Sequence, residues 1–272
     1  MRVAVVGLGL IGGSIALAAR ERLSAEVTGW DADPSAIDAA VARGAIASGA
    51  GLLASAVAEA DAVFAAAPVG VLPELIAEVL AHARADAVVS DVGSTKRTIV
   101  EAVSDGRFIG GHPLAGAETS GVQNASAELF EGSTWYLTPG AATSAEAIAR
   151  VSALITSFGA DVAQIDAAEH DRLMAAVSHL PHVFANVLLS HLLAVGAPTV
   201  LGPSFRDGTR VAGSNPAIWS SIYLDNRDEV VLAIDHAIDL LQAVRGDLDR
   251  ADSEALMRWC EAAAEDRARL GR

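Results

Sequence analysis

One histidine lies where its side chain could do acid–base chemistry. His112 follows Gly110 and Gly111 and precedes Pro113, a setting that favours projection into a cleft over a place in the core. Imidazole titrates near neutral pH, so it can take a proton from an alcohol while a hydride leaves the same carbon. Ser94, at the end of a neighbouring predicted strand, is the candidate to fix the imidazole tautomer by a hydrogen bond. The alternative is a histidine that only shapes a turn.

Two further histidines occur in the second half of the chain. His179 and His182 are three residues apart, so they share one face of a helix. Pro181 between them predicts a kink or a restart of that helix. A metal pair would need further ligands at matched spacing, and no such pattern is present. Contact with a substrate is the interpretation we favour, and histidines satisfied within the core are the alternative.

Two cationic side chains are candidates for holding an anionic substrate. Arg210 precedes a short apolar pair, and its guanidinium can grip a carboxylate through two parallel hydrogen bonds. A surface ion pair with Asp207 is the alternative. Lys96 is the single lysine beside 18 arginines, which indicates a position that needs an ammonium group. Survival on a solvated face is the alternative for Lys96.

The chain opens on a glycine-rich turn that joins a β-branched run to a helix-forming stretch. Glycines at positions 7, 9 and 12 follow the run directly. In this context the spacing is the dinucleotide-binding fingerprint, in which the glycines allow the turn, the approach of a pyrophosphate and close helix packing. A carboxylate that ends the second predicted strand would hold the adenosine ribose and favours NAD over NADP. We assign these residues to the cofactor: Gly7, Leu8, Gly9, Leu10, Ile11, Gly12, Asp31, Pro68 and Ser94.

The composition limits the partners and the compartment. The 272 residues carry a formal net charge of −15 without a basic patch, which argues against nucleic acid and anionic membrane as partners. No uninterrupted apolar run reaches the roughly 18 residues of a membrane span, and we expect no signal peptide. The single cysteine, Cys260, excludes an internal disulfide framework and predicts a reducing cytoplasm.

Short apolar runs alternate with helical patterns up to about residue 165, which predicts a mainly parallel sheet with helices on both faces. The predicted strands are 2–6, 26–30, 61–65, 86–90, 107–110, 134–137 and 161–165. The helical patterns between them are 12–20, 34–43, 70–83, 95–104 and 144–158. Ligands of such sheets bind at the carboxyl ends of the strands, where Ser94 and His112 are expected.

After residue 165 the pattern changes to long stretches with helical periodicity and no strand-like alternation. These stretches are 167–194, 216–245 and 252–270. We therefore predict an α/β protein: a doubly wound nucleotide-binding domain over 1–165 and an all-helical domain over 166–272. The helical half is too apolar to stand alone, so we expect it to pack across a homodimer.

Five segments, in order along the chain, resemble the prephenate and arogenate dehydrogenases. They are Gly7-Leu-Gly-Leu-Ile-Gly-Gly-Ser14, Asp91-Val-Gly-Ser-Thr-Lys96, Gly111-His-Pro-Leu-Ala-Gly116, Ser178-His-Leu-Pro-His182 and Phe205-Arg-Asp-Gly-Thr-Arg210. The resemblance implies a Rossmann-like domain, a helical dimerisation domain and NAD. It also implies oxidative decarboxylation of a cyclohexadienyl dicarboxylate, prephenate to 4-hydroxyphenylpyruvate.

The resemblance also implies roles for single residues. His112 is the base at the ring hydroxyl, and Ser94 orients it or the same hydroxyl. Arg210 binds a substrate carboxylate, and His179 and His182 line the pocket, with His182 the favoured contact. The remaining residues assigned to the substrate are the acidic partners of Arg210, a packing tryptophan and the single lysine: Glu118, Asp207, Trp219 and Lys96.

Three alternative functions are kept. An arogenate dehydrogenase would act on a substrate with an amino side chain in place of a keto side chain, and the sequence does not decide between the two. A β-hydroxyacid dehydrogenase also joins a Rossmann domain to helices but relies on a lysine in the helical half, where this chain has none. A non-catalytic NAD-binding sensor would need neither His112 nor Arg210.

Overall fold

Eight strands form one sheet in the order β3-β2-β1-β4-β5-β6-β7-β8 in a computed structural model of the chain. The structure describes residues 1–116, 119–196 and 201–270. The strands are β1 (Arg2–Val6), β2 (Glu26–Trp30), β3 (Ser48–Gly49), β4 (Ala62–Ala65), β5 (Val88–Asp91), β6 (Phe108–Pro113), β7 (Thr134–Thr138) and β8 (Asp161–Gln164). All neighbouring pairs are parallel except β6 and β7, which are antiparallel.

Among the described residues, six α-helices lie between the strands and six follow the last strand. The first six are α1 (Leu10–Leu23), α2 (Pro34–Ala42), α3 (Leu53–Val57), α4 (Leu72–His82), α5 (Arg97–Ala102) and α6 (Ala145–Ser157). The others are α7 (Ala167–Met174), α8 (Leu180–Val195), α9 (Pro203–Thr209), α10 (Pro216–Asp225), α11 (Arg227–Asp249) and α12 (Ser253–Leu270).

The sheet is buried on both faces because its strands send alternate side chains to opposite sides. In β1, Val3 and Val5 belong to one apolar cluster, with Trp135 and Phe158, and Ala4 and Val6 belong to the other. The predicted fold class, a mainly parallel doubly wound sheet followed by helices, is confirmed.

Helices α7 and α8 are one continuous helix interrupted by a π-helical turn over Ala175–His179. Pro181 has no N–H to give to the preceding turn, and Leu180 donates its own N–H to Ala175, five residues back. The predicted kink at Pro181 is therefore a wider turn that the helix passes through. This helix, Ala167–Val195, has the length and hydropathy of a membrane span, although its first half carries the polar side chains described below.

The compact units of the described chain are Met1–Arg227 and Asp228–Arg272. The domain boundary that we predicted after residue 165 separates the part of the chain where strands and helices alternate from the part that is helical. This boundary stays a prediction. Four local features were not predicted: the short strand β3, the short helices α3 and α9, and the break of the 216–245 stretch at Asn226.

Candidate active site

The glycine turn has the backbone geometry that its sequence predicts. Gly7 has φ +95°, and a Cβ there would lie 2.2 Å from the carbonyl oxygen of Ala66. A Cβ on Gly12 would lie 1.9 Å from the carbonyl oxygen of Gly7. Around Gly9, which precedes the first residue of α1, nothing lies within 4 Å of such a Cβ. The turn therefore needs Gly7 and Gly12 to fold, whereas Gly9 keeps space open in front of the helix.

Asp31 lies beside this turn. One oxygen of its carboxylate accepts the N–H of Leu8 at 2.7 Å and the other accepts the N–H of Asp33 at 2.9 Å. These bonds fix the carboxylate at the end of β2 next to the glycine turn. A carboxylate in this place fits the adenosine ribose, which the fingerprint puts there.

Strand β6 carries His112 to the edge of the sheet where the parallel strands end. Gly111 allows this, because a Cβ at that residue would lie 2.6 Å from the carbonyl oxygen of Asp91. Strand β6 therefore lies close against the end of β5. His112 itself pairs with Tyr136 on the antiparallel strand and is half-buried.

His112 is the first of three groups joined by hydrogen bonds. Its Nδ1 atom lies 2.9 Å from Nε2 of His170, and the two rings meet edge to face with centroids 5.1 Å apart. The other ring nitrogen of His170, Nδ1, lies 2.8 Å from a carboxylate oxygen of Asp171. His170 and Asp171 are both buried in α7. The chain thus links the half-buried imidazole to a buried carboxylate.

A second buried carboxylate, that of Asp91, joins the ends of β5 and β6. It accepts the backbone N–H of Gly93 at 2.7 Å and of Gly111 at 3.1 Å, and it pairs with the ammonium group of Lys96. Burial lowers the pKa of Lys96, and the charge of Asp91 opposes that change. Because the Lys96 side chain is completely buried in this pair, its position differs from the substrate contact that we expected.

Burial favours the neutral form of His112, His179 and His182. It lowers the pKa of His112 well below its usual value, and the neighbouring basic groups of His170 and Lys96 lower it further. Burial also lowers the pKa of His179 to about 4, although Asp171 opposes the shift, and it lowers the pKa of His182. Neutral imidazole is the form that accepts a proton. His112 is therefore available as a base across the neutral range.

His182 is held by an aromatic and polar environment on α8 and α10. Its ring stacks on Trp219 with centroids 3.6 Å apart, and its Nδ1 lies 2.5 Å from the hydroxyl of Tyr223 and 3.2 Å from the side-chain nitrogen of Asn186. Its Nε2 atom is buried, and no group of the described residues meets it in good hydrogen-bond geometry, although the backbone of Val211 is close enough to raise the pKa of the ring against the effect of burial. A buried polar atom of this kind is costly unless a ligand or water meets it.

The remaining predicted residues are spread over several elements. Ser94 is half-buried at the carboxyl end of β5, and no hydrogen bond joins it to His112 in the described part of the chain. Asp207 and Arg210 are exposed, on α9 and on the 3-10 turn after it. Glu118 lies outside the described residues. His179 is buried, with Nδ1 at 3.2 Å from the side-chain nitrogen of Asn226.

Three buried residues of this site were given no role from the sequence: Asp91, His170 and Asp171. The adjacent histidine and aspartate were visible as a polar pair at the start of the helical half. Their link to His112 was not visible, since 58 residues separate the two histidines. Within residues 1–116, 119–196 and 201–270, no group of three His, Cys, Asp or Glu side chains is placed to hold a metal ion.

Comparison of the chain with models of known protein families identifies its family. The model of the prephenate dehydrogenase nucleotide-binding domain matches residues 15–164, and that of the prephenate dehydrogenase dimerization domain matches residues 166–262. The chain belongs to the prephenate dehydrogenase family. It is 34% identical to the prephenate dehydrogenase of Bacillus subtilis, over 97% of this chain and 75% of that protein.

Solved structures of the family have the same fold. Prephenate dehydrogenase from Aquifex aeolicus, in complex with hydroxyphenyl propionate and NAD+, is 30% identical with a TM-score of 0.93, over 99% of this chain and 98% of that one. The Synechocystis arogenate dehydrogenase is 27% identical with a TM-score of 0.86, over 99% of this chain and 100% of that one. The family predicted from the five motifs is therefore confirmed.

Proposed function

We propose that this chain catalyses the NAD-dependent oxidative decarboxylation of prephenate to 4-hydroxyphenylpyruvate. The observation that carries the proposal is the position of His112, a half-buried imidazole at the end of β6, on the side of the sheet where the glycine turn follows β1. Membership of the family supports it.

The residues of the turn fit a dinucleotide. The open space at Gly9 lets a pyrophosphate approach the first N–H groups of α1, which has no side-chain cap. Asp31 would hold the ribose hydroxyls and repel a 2′-phosphate, so NAD is the expected form. The other residues assigned to the cofactor from the sequence, including Pro68 and Ser94, remain proposed contacts of the dinucleotide. When bound, the nicotinamide supplies the acceptor for the hydride.

His112 would act as the base at the ring hydroxyl of prephenate. Its Nε2 takes the hydroxyl proton as the hydride leaves the same carbon, and Ser94 contributes a hydrogen bond at the hydroxyl. The ketone that forms is vinylogous to the ring carboxylate, so loss of carbon dioxide follows and makes the ring aromatic, and the ring oxygen takes its proton back from His112. Aromatisation supplies driving force, and the enzyme mainly needs positioning and a base.

Two groups would hold the carboxylates of the substrate. Arg210 offers a bidentate contact, with Asp207 and Glu118 as its acidic partners. His182 offers its Nε2: the Asn186 amide donates to Nδ1, so a neutral ring carries its proton on Nε2 and can donate it. A chain with net charge −15 needs such local donors to bind a dianion.

Formation of NADH tests the function. Purified protein with NAD+ and prephenate should produce NADH and 4-hydroxyphenylpyruvate, and His112→Ala should remove turnover while prephenate binding persists. The exposed His82, at the end of α4, provides the control variant His82→Ala, which should keep full activity. Wild-type protein that is inactive on prephenate would refute the proposal, and full activity of His112→Ala would refute the base.

Arogenate is the second candidate substrate, because the arogenate dehydrogenase of Synechocystis shares the fold over the whole chain. Prephenate and arogenate differ at one side-chain group, keto against amino, away from the carbon that loses hydride. The ratio of kcat/KM for the two substrates decides between them. We expect it to favour prephenate, and a larger value with arogenate would reverse the assignment.

A homodimer formed through the helical half, working in the cytoplasm, completes the proposal. The matched dimerization domain supports the assembly. Apolar side chains that the single chain leaves exposed support it further: Val187, Leu188, Leu193 and Val195 on α8, and Val231, Ile238, Leu241 and Leu248 on α11. We interpret the apolar face of the continuous helix Ala167–Val195 as part of an interface between two protein chains.

A further inference from the structure

We infer that His170 and Asp171 are positioning residues that set the tautomer of His112. The inference rests on the proposed function, since it concerns the base of that reaction. The three groups are connected by consecutive hydrogen bonds: His112 Nδ1 lies 2.9 Å from His170 Nε2, and His170 Nδ1 lies 2.8 Å from Asp171 Oδ1. Neither His170 nor Asp171 has a role in the site as predicted from sequence.

Asp171 fixes the direction of the hydrogen bonds. Its Oδ1 accepts the backbone N–H of Lys96 at 2.7 Å, and its Oδ2 accepts the backbone N–H of Arg97 at 2.9 Å. A backbone N–H can only donate, so both oxygens act as acceptors. Nδ1 of His170 must therefore carry the proton that it shares with Asp171.

The proton on His170 then decides the proton on His112. We take the His170 ring in its uncharged form, in which the single N–H is on Nδ1 and the Nε2 is an acceptor. His112 meets that acceptor with its own Nδ1 and must donate to it. The single proton of neutral His112 is thus on Nδ1, and the lone pair on Nε2 is free to take the hydroxyl proton. The opposite tautomer would present an N–H to the substrate and could not act as a base.

The surroundings hold the two residues in place. His170 is completely buried, and the ring of Tyr136 packs edge-on against it with centroids 5.8 Å apart. The backbone carbonyl of Asp171 accepts a hydrogen bond from the side chain of Asn226 at 2.7 Å. The carboxylate is tied to the start of α5 by the two backbone bonds. A group anchored from three elements is suited to orient a base.

Two variants of one residue separate orientation from stability. In His170→Gln the amide oxygen reaches the position of Nε2 and can accept the proton of His112. In His170→Asn the shorter amide reaches only the position of Nδ1, so it contacts Asp171 but not His112. We expect His170→Asn to lower kcat about 100-fold with little change in KM, and His170→Gln to restore most of the loss. Thermal unfolding of both variants accompanies the kinetics.

One further measurement completes the test. The nitrogen shifts of ¹⁵N-labelled imidazoles should show the Nδ1–H tautomer of His112 in the wild type without any ligand, and a mixture in His170→Asn.

An Nε2–H tautomer in the wild type would overturn the inference, as would a kcat of His170→Asn within threefold of the wild-type value. Equal loss in His170→Asn and His170→Gln would also overturn it, since that result assigns His170 to the structure alone. Because the tautomer is measured without substrate, its failure is distinct from failure of the proposed function, which would appear as a wild-type protein inactive on prephenate.

Discussion

Arg210 is the residue through which substrate binding is most directly tested. We expect Arg210→Ala to raise KM for prephenate about 10- to 100-fold, the cost of losing a hydrogen-bonded contact between charged groups, with kcat changed less than about threefold. The contact is made equally in the ground state and in the transition state, so its loss changes binding and not turnover. Steady-state kinetics at saturating NAD+ measures both constants.

Arg172→Ala is the matched control for that variant. Arg172 is an exposed arginine on α7, close in sequence to the site but paired only loosely with Glu169 at 3.7 Å. Its removal should leave both constants unchanged. A KM of Arg210→Ala equal to that of the wild type would remove the carboxylate role from Arg210.

The roles of single residues could be predicted where the neighbouring sequence indicates them. His112 has glycines before it and a proline after it, and Asp31 follows the glycine turn at the expected distance. The partner of His112 was not predictable in this way, because the bond to His170 forms only when α7 packs beside β6. Lys96 was singled out by composition, yet composition could not show that its ammonium group is buried against Asp91.

At the scale of elements, two variants of the glycine turn should have opposite effects: one should weaken NAD+ binding without loss of stability, and the other should lower stability. Gly9→Ala should leave the melting temperature unchanged, because open space surrounds the added Cβ, and should raise the Kd for NAD+ at least about tenfold by blocking the pyrophosphate. Gly7→Ala should lower the melting temperature by at least about 4 °C, because the added Cβ meets the carbonyl of Ala66 and φ is +95°. Calorimetric titration and thermal unfolding measure the two effects.

Gly51→Ala is the control for both variants, since this glycine also has open space around its Cβ but lies outside the turn. It should change neither the melting temperature nor the affinity. Wild-type affinity of Gly9→Ala for NAD+ would show that the pyrophosphate does not approach this turn.

Helices and strands could be predicted where the periodicity of apolar residues continues along the whole element. Their ends were harder to predict where a tertiary contact terminates the element. The predicted strands all have counterparts in the sheet, and the central strands β4 and β5 are buried at every residue, as expected for short apolar runs in a parallel sheet. The 216–245 stretch, in contrast, is split at Asn226. That residue ends α10 by donating its N–H to Ile222, and its side chain reaches the carbonyl of Asp171. Helical periodicity continues through the break, so no local pattern predicts it.

At the scale of the whole molecule, the exposed apolar residues are the feature that the single chain leaves unexplained. On α11, the exposed residues Val231, Ile238, Leu241 and Leu248 follow one another at spacings of seven, three and seven residues, which places these four on one face. A face of this kind in contact with water is costly, and pairing with a second helix removes the cost. The name of the matched dimerization domain agrees with this interpretation.

Leu241→Glu tests that face. The wild type should have twice the mass of one chain in light scattering, and Leu241→Glu should shift the population towards one chain at micromolar concentration, because a carboxylate buried in an apolar interface is strongly unfavourable. Arg258→Ala, an exposed position on α12, is the control and should remain dimeric. A wild type with the mass of one chain would refute the dimer, and an undiminished dimer in Leu241→Glu would place the interface on another face, such as that of α8.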